Sequence, residues 1–432
     1  MKKLSVVVLA ILMFAPVVAP AAEEDADKPE TKLNADTLAG LALRGIGPTI
    51  NSGRISDFAV TPGKRHRYFA AVASGNLWKT DNAGTTWTPV FDNESSYSVG
   101  IVTMDPNNPN VIWAGTGENN SQRSVSFGDG VYKSLDGGQS WTHMGLEESE
   151  HIGGIEVDPR DSDVVFVAAQ GPLWNSGGER GVYKTTDGGQ TWERVLHVDD
   201  DTGANEVLLD PRNPDTVYAS MYQRRRHVWT LINGGPGSGI YKSTDGGATW
   251  RELESGLPKV DMGRIGLAMS PVDPDMIYAI VEAQRDEGGV FRTTDRGESW
   301  TKRGDYMSSS PQYYNELVAD PHDLDTVYSL DTFLMVSKDG GATFAPVGEK
   351  NKHVDNHALW IDPTDNRHML SGCDGGVYET FDMAKNWHFK GNLPLTEIYK
   401  VTVDNAKPFY NVYIGTQDNN SLGGPSRSVN SS

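Results

Sequence analysis

A chain of 432 residues with a formal charge of −20 has room for one large or two ordinary domains. Its acidity works against nucleic acid and anionic membrane surfaces as partners and leaves sugars, peptides and cations open. Cys373 is the only cysteine, so no disulfide within the chain staples the fold. It stands among apolar residues and glycines and reads as a small packed residue.

Residues 1–21 have the pattern of a cleavable export signal. Lys2 and Lys3 give the positive start, Leu4 to Val18 the apolar core, and Ala19-Pro20-Ala21 the small-residue cleavage site. The expected product is exported, periplasmic or secreted, because the apolar run is short for a membrane span and none follows. Residues 22–37 are polar and charged and read as a flexible leader. Leu38 to Pro48 reads as an opening strand.

From Gly53 a unit of roughly fifty residues repeats. Its clearest mark is an octet: SLDGGQSW from Ser134, TTDGGQTW from Thr185, STDGGATW from Ser243, TTDRGESW from Thr293 and SKDGGATF from Ser337. Weaker copies start at Thr80 (TDNAGTTW) and Thr380 (TFDMAKNW). Each follows a short apolar strand, offers glycines for positive φ and ends on an aromatic that begins the return strand. Asn82, Asp136, Asp187, Asp245, Asp295, Asp339 and Asp382 therefore tie their own turns rather than carry chemistry. Each unit opens with another apolar strand that usually ends in Asp-Pro, such as Ile155 to Pro159, and a second strand follows.

Four short strands per unit, without helical periodicity, predict an all-β, seven-bladed propeller over residues 38–396. An incomplete eighth blade follows at 397–420, and residues 421–432 read as a disordered tail. The stop inside a blade suggests the front piece of a longer protein.

Strand parity sets the octet turns and the Asp-Pro turns on one face. The second-to-third and blade-to-blade loops fall on the other, where lengths vary and binding residues concentrate. Candidates there are Glu118 and Arg123 in the loop Gly115 to Gly130, Trp174 for stacking on a sugar, and Arg54 and Arg264. Arg224, Arg225 and Arg226, with Trp229 close by, form the sharpest local departure from an acidic composition. They would grip an anionic group or pair with Asp199 to Asp201. Tyr313 and Tyr314 would line the mouth. His353, Asp355 and His357 alternate along a strand start and could converge, although a hydrogen-bonded structural role suits them better. No cofactor or metal is expected.

The octet resembles the Asp-box, or BNR repeat, of sialidases, sortilin-like receptors and xyloglucanase-type hydrolases. The chain is similar to large exported bacterial proteins of that sortilin/BNR type, on Leu77 to Thr80, Val354 to Trp360 and Gly415 to Asn419. The resemblance implies the fold and a second propeller beyond the present end. It implies no activity: Gly53-Arg54-Ile55-Ser56 lacks the aromatic and proline of the sialidase arginine motif. Val72 to Asn76 likewise lacks the aspartate that xyloglucanases place in their first blade. The expected function is a binding or protein-interaction scaffold for a peptide, glycan or partner protein on the variable face. The alternatives are a glycosyl hydrolase-like enzyme completed by a second propeller and an exported assembly factor.

Overall fold

The structure, a computed structural model, describes Gly40 and residues 53–427. The chain divides into two compact units, Met1–Ile46 and Gly47–Ser432, and every strand of the described residues belongs to the second. The expected signal at 1–21, the leader at 22–37 and, Gly40 apart, the opening strand lie outside the described residues.

Short runs of aromatic, β-branched and small apolar residues become strands buried on both faces. Tyr68–Val72 and Val165–Ala169 are buried at every position, because each sheet is sandwiched between two neighbours. The fourth strands are short, and Thr88–Pro89 is exposed at both positions. The first seven sheets each run four antiparallel strands in chain order. The fourth also carries an extra strand, Thr230–Asn233, paired with the far end of Val217–His227.

Buried clusters lie between consecutive sheets all the way round. Phe69 and Ala71 of the first sheet pack with Ile112 and Ala114 of the second. Tyr328 and Leu330 of the sixth pack with Met369 and Trp387 of the seventh. Ile55, Tyr68 and Val72 of the first sheet then meet Ala358 and Leu370 of the seventh, so the circle closes as a propeller. Among the described residues no strand is shared between the first and seventh sheets; the closure is made by side chains. First strands lie side by side around the axis. Ser56 Oγ donates to Val99 O at 2.6 Å, Thr103 Oγ1 to Ile155 O at 2.9 Å and Asn205 Nδ2 to Ile265 O at 3.0 Å.

The octets fold alike. In Ser134 to Trp141 the Ser134 hydroxyl accepts from Gly138 N at 2.8 Å and donates to Asp136 Oδ1 at 2.8 Å. Asp136 also accepts from Ser140 N at 2.9 Å and Ser140 Oγ at 2.6 Å. The same bonds recur around Asp187, Asp245, Asp295 and Asp339; in the weaker copies Asn82 accepts from Thr86 N but donates its Nδ2 to the Thr86 hydroxyl, and Asp382 accepts from Asn386 N and Nδ2. Several tryptophans reach back to the preceding sheet: Trp141 Nε1 to Val90 O and Trp192 Nε1 to Met144 O, both at 2.6 Å.

An eighth sheet holds three strands, Ile398–Val403, Asn411–Thr416 and Ser421–Pro425. Its first strand is exposed along its whole length. The last strand departs from the disordered tail expected from Ser421. Ser421–Pro425 has little side-chain bulk, and its place is set by backbone pairing with Asn411–Thr416, which composition does not announce.

Candidate functional site

Five elements bring polar groups together at the rim opposite the octets. Arg54 precedes the first strand of the first sheet, Ile55–Val60. Glu118 follows Ile112–Thr116 of the second. Tyr313 and Tyr314 precede Glu316–Ala319 of the sixth. His357 lies in Asn356–Ile361, and Asp374 sits in the turn between Met369–Cys373 and Gly376–Thr380, all in the seventh.

Arg54 is the hub. Its Nη1 donates to Glu118 Oε2 at 2.7 Å. Its Nε and Nη2 fork onto Asp374 Oδ1 at 2.8 Å and Oδ2 at 3.3 Å. The guanidinium stands over the Tyr313 ring, 5.0 Å from its centre. Tyr313 donates to Asp374 Oδ2 at 3.4 Å, while Tyr314 donates to Asp355 Oδ1 at 2.5 Å. His357 stacks on Tyr314, with centroids 5.3 Å apart. Its Nε2 lies 3.2 Å from Asp374 Oδ1 without hydrogen-bond alignment.

Arg54, Glu118 and Asp374 are all buried. Burial works against the charge on Arg54, but Glu118 and Asp374 outweigh it and raise its pKa. Burial likewise works against the Asp374 carboxylate, yet Arg54 and His357 hold it below the usual range. The result is a fixed ionic bracket tying the first sheet to the second and seventh, walled by two tyrosines. Such a pair keeps its partners charged and oriented.

A second arm extends from Glu118. Asn120 Nδ2 donates to Glu118 Oε2 at 2.9 Å, and His151 Nδ1 meets Glu118 O at 2.7 Å. Arg224, fully buried, donates to Asn120 O at 2.8 Å and Gly171 O at 3.2 Å. Arg226 Nε donates to Ser121 O at 2.6 Å. Arg225 donates to Ser176 Oγ at 2.9 Å and lies 3.7 Å from Asp201 Oδ1. The arginine run is thus spent largely on loop carbonyls and one acidic neighbour. Arg264 forks to Asn205 Oδ1 at 3.1 Å and Glu316 Oε1 at 2.6 Å.

The remaining candidates are scattered. Arg123 is exposed. Trp174 is 39% exposed and Trp229 83%, the latter at the tip of the added hairpin, stacked on His227 at 5.4 Å. His353, Asp355 and His357 do not share one point. Asp355 has φ 63° and a bulge separates Asn356 from Ala358, so strict alternation fails there. His353 faces the carbonyls of Val354 and Asp418 at 2.7 and 3.2 Å, Asp355 takes Tyr314, and His357 turns to Asp374. No metal-holding group of histidine, cysteine and acidic residues occurs among the described residues.

Sequence reasoning missed Asp374, because Asp374-Gly375-Gly376 looks like one more turn. Its position between a second and third strand, where no octet falls, was the available signal. It also passed over Glu397, Tyr399 and the amide of Gln417, whose roles depend on where the eighth sheet lands. Val72 to Asn76, without a carboxylate, sits beside the cluster: Ser74 Oγ and Ser126 Oγ share a hydrogen bond of 2.9 Å.

No family model matches this chain. It is 23% identical over 334 residues to xyloglucanase Xgh74A of Acetivibrio thermocellus, covering 65% of this chain and 36% of that protein. It is 21% identical over 415 residues to a xyloglucanase of Hypocrea jecorina, covering 76% and 47%. The chain therefore spans less than half the length of these curated relatives. Among solved structures, the GH74 xyloglucanase from Xanthomonas campestris superposes with a TM-score of 0.63 at 16% identity, over 85% of this chain and 59% of that one. The GH74 enzyme of Niastella koreensis gives 0.61 at 19%, over 88% and 59%. What this chain shares with these hydrolases is the propeller fold.

Proposed function

We propose that this chain is one ring of an exported, glycosyl hydrolase-like propeller protein whose rim opposite the octets takes a neutral polysaccharide of the xyloglucan class. The observation that carries the reading is the Arg54–Glu118–Asp374 bracket with its tyrosine and histidine walls on that rim. The xyloglucanase relatives supply the ligand class. Hydrolysis needs two carboxyl groups about 5–10 Å apart across the scissile bond. Asp374 is committed to Arg54 and suits positioning better than proton transfer, so the ring would act with carboxyls from elsewhere. Binding without hydrolysis is the second reading, favoured by the lack of a carboxylate across Val72 to Asn76.

The test is electrophoresis of the chain through gels with and without xyloglucan, alongside a reducing-end assay on the same polysaccharide. Retardation in the xyloglucan gel is the expected result under both readings; reducing ends released by the chain itself would overturn binding without hydrolysis and place both carboxyls within this chain. Unchanged mobility together with no released ends would overturn both.

A further inference from the structure

Where the eighth sheet meets the rim, two buried acceptors stand without partners. Gln417 is 5% exposed. Its backbone N donates to Glu397 O at 3.1 Å, and its Nε2 donates to Asp374 Oδ2 at 2.9 Å. That aims the amide at the bracket but leaves its oxygen unpaired. Glu397 Oε2 is also buried and unpaired. Orphaned buried acceptors are uncommon and cost on the order of 1–3 kcal/mol each, so two at one place ask for a donor. Beside them Tyr399 is 52% exposed. Its hydroxyl lies near Ser124 and within electrostatic reach of Glu397, Arg54 and Asp418.

We infer that Glu397, Gln417 and Tyr399 form a subsite for a single neutral sugar ring, an inference that rests on the glycan reading above. Two acceptors match two donating hydroxyls, and an exposed phenol ring matches the apolar C–H face of a pyranose. Neutrality follows from local charge: Glu397, Glu118, Asp374 and Asp418 outnumber Arg54 and the two neighbouring histidines, His353 at Asp418 and His357 at Asp374, so a uronate would be repelled. A cation suits the place less, because Arg54 already occupies Glu118 and Asp374. Burial, with the nearby acids, pushes Glu397 up to about 7. Near neutrality its carboxyl can therefore donate to a sugar oxygen as well as accept.

The experiment is calorimetric titration of the chain with a xyloglucan heptasaccharide, and in parallel with a galacturonic acid oligomer, between pH 5.5 and 8.5. Tyr399→Ala, at an exposed position, is expected to weaken heptasaccharide binding at least tenfold with unchanged thermal unfolding. Glu397→Gln is expected to flatten the change in affinity that the unsubstituted chain shows around pH 7. Wild-type affinity and pH profile in both variants would overturn the subsite and leave the glycan reading standing. Tight binding of the galacturonic acid oligomer would overturn its neutrality. No heptasaccharide binding by the unsubstituted chain would overturn both the subsite and the glycan reading.

Discussion

The two faces of the ring use charge in opposite ways. On the octet face, aspartates sit in the open and satisfy themselves within their own turns. The Thr191 hydroxyl and amide hold Asp187 near 2, and those of Thr249 hold Asp245 near 2. At the other rim the charges are buried and each depends on a group from another sheet, as Arg54 depends on Glu118 and Asp374. Local satisfaction makes the first face repeatable blade after blade. Dependence between sheets makes the second face unique, and uniqueness is what a recognition surface needs.

The contrast is sharpest if one partner is removed. Arg54→Ala would leave two buried carboxylates without their cation at the seam where the ring closes by side chains alone. Breaking a buried pair in this way costs about 3–5 kcal/mol. The expected outcome is an unfolding free energy lower by that amount, measured by urea titration with tryptophan fluorescence. A loss under about 1 kcal/mol would mean that the bracket is not what joins the first and seventh sheets.

The same contrast explains what the sequence made legible. The octet is a local device: its hydroxyl, aspartate, glycines and aromatic lie within eight consecutive residues, so pattern alone revealed turn, sheet and ring. The rim bracket joins residues 320 apart, Arg54 and Asp374, and nothing local marks them as partners. Arg54, Glu118, Tyr313, Tyr314 and His357 were singled out by position on the variable face, and the structure brings them together. Arg224 attracted attention as surplus charge, but its Nη1 and Nη2 donate to carbonyls of the second and third sheets' loops, which composition cannot show. The strand at Ser421–Pro425 was missed for a related reason: backbone pairing, not side chains, fixes it.

Between the two faces runs the inner wall, where Glu156 and Glu206 have no ion-pair partner among the described residues, although Glu206 accepts from Leu267 N at 2.6 Å. Burial alone pushes Glu156, on Ile152–Val157, up to about 8. Burial and then Glu316 do the same for Glu206. A carboxyl raised in the folded state keeps its proton there while the unfolded chain loses it at about 4.5. Stability is therefore lost as pH rises from about 4.5 through about 8. The octet aspartates have the opposite sign: their contribution is present above about 4 and lost as pH falls toward 2. Glu156→Gln should raise the melting temperature by several degrees at pH 8.5 and leave it unchanged at pH 4.5. Equal effects at both pH values would show that the side chain acts by packing rather than by titration.

The smallest effect concerns how far the octets tolerate imperfect copies. The residue after the aspartate takes a left-handed conformation throughout: φ is 72° at Gly137, 71° at Gly188, 68° at Gly246 and 70° at Gly340. Ala83, Arg296 and Met383 hold the same position at 56°, 61° and 61°. A side chain there costs about 1–2 kcal/mol. Arg296 offsets part of this by pairing with Asp275 at 2.7 Å, whereas Met383 is a substantially exposed apolar side chain. Met383→Gly removes the strain but adds unfolded-chain freedom worth about 0.5–1 kcal/mol, so a net gain of roughly 0.5–1 kcal/mol is expected in urea unfolding. The reverse change, Gly246→Met, meets open space beyond Lys184 and Asp215. It should cost a similar amount through the backbone alone. If both substitutions were neutral, the glycines of the octet would be there for something other than backbone conformation.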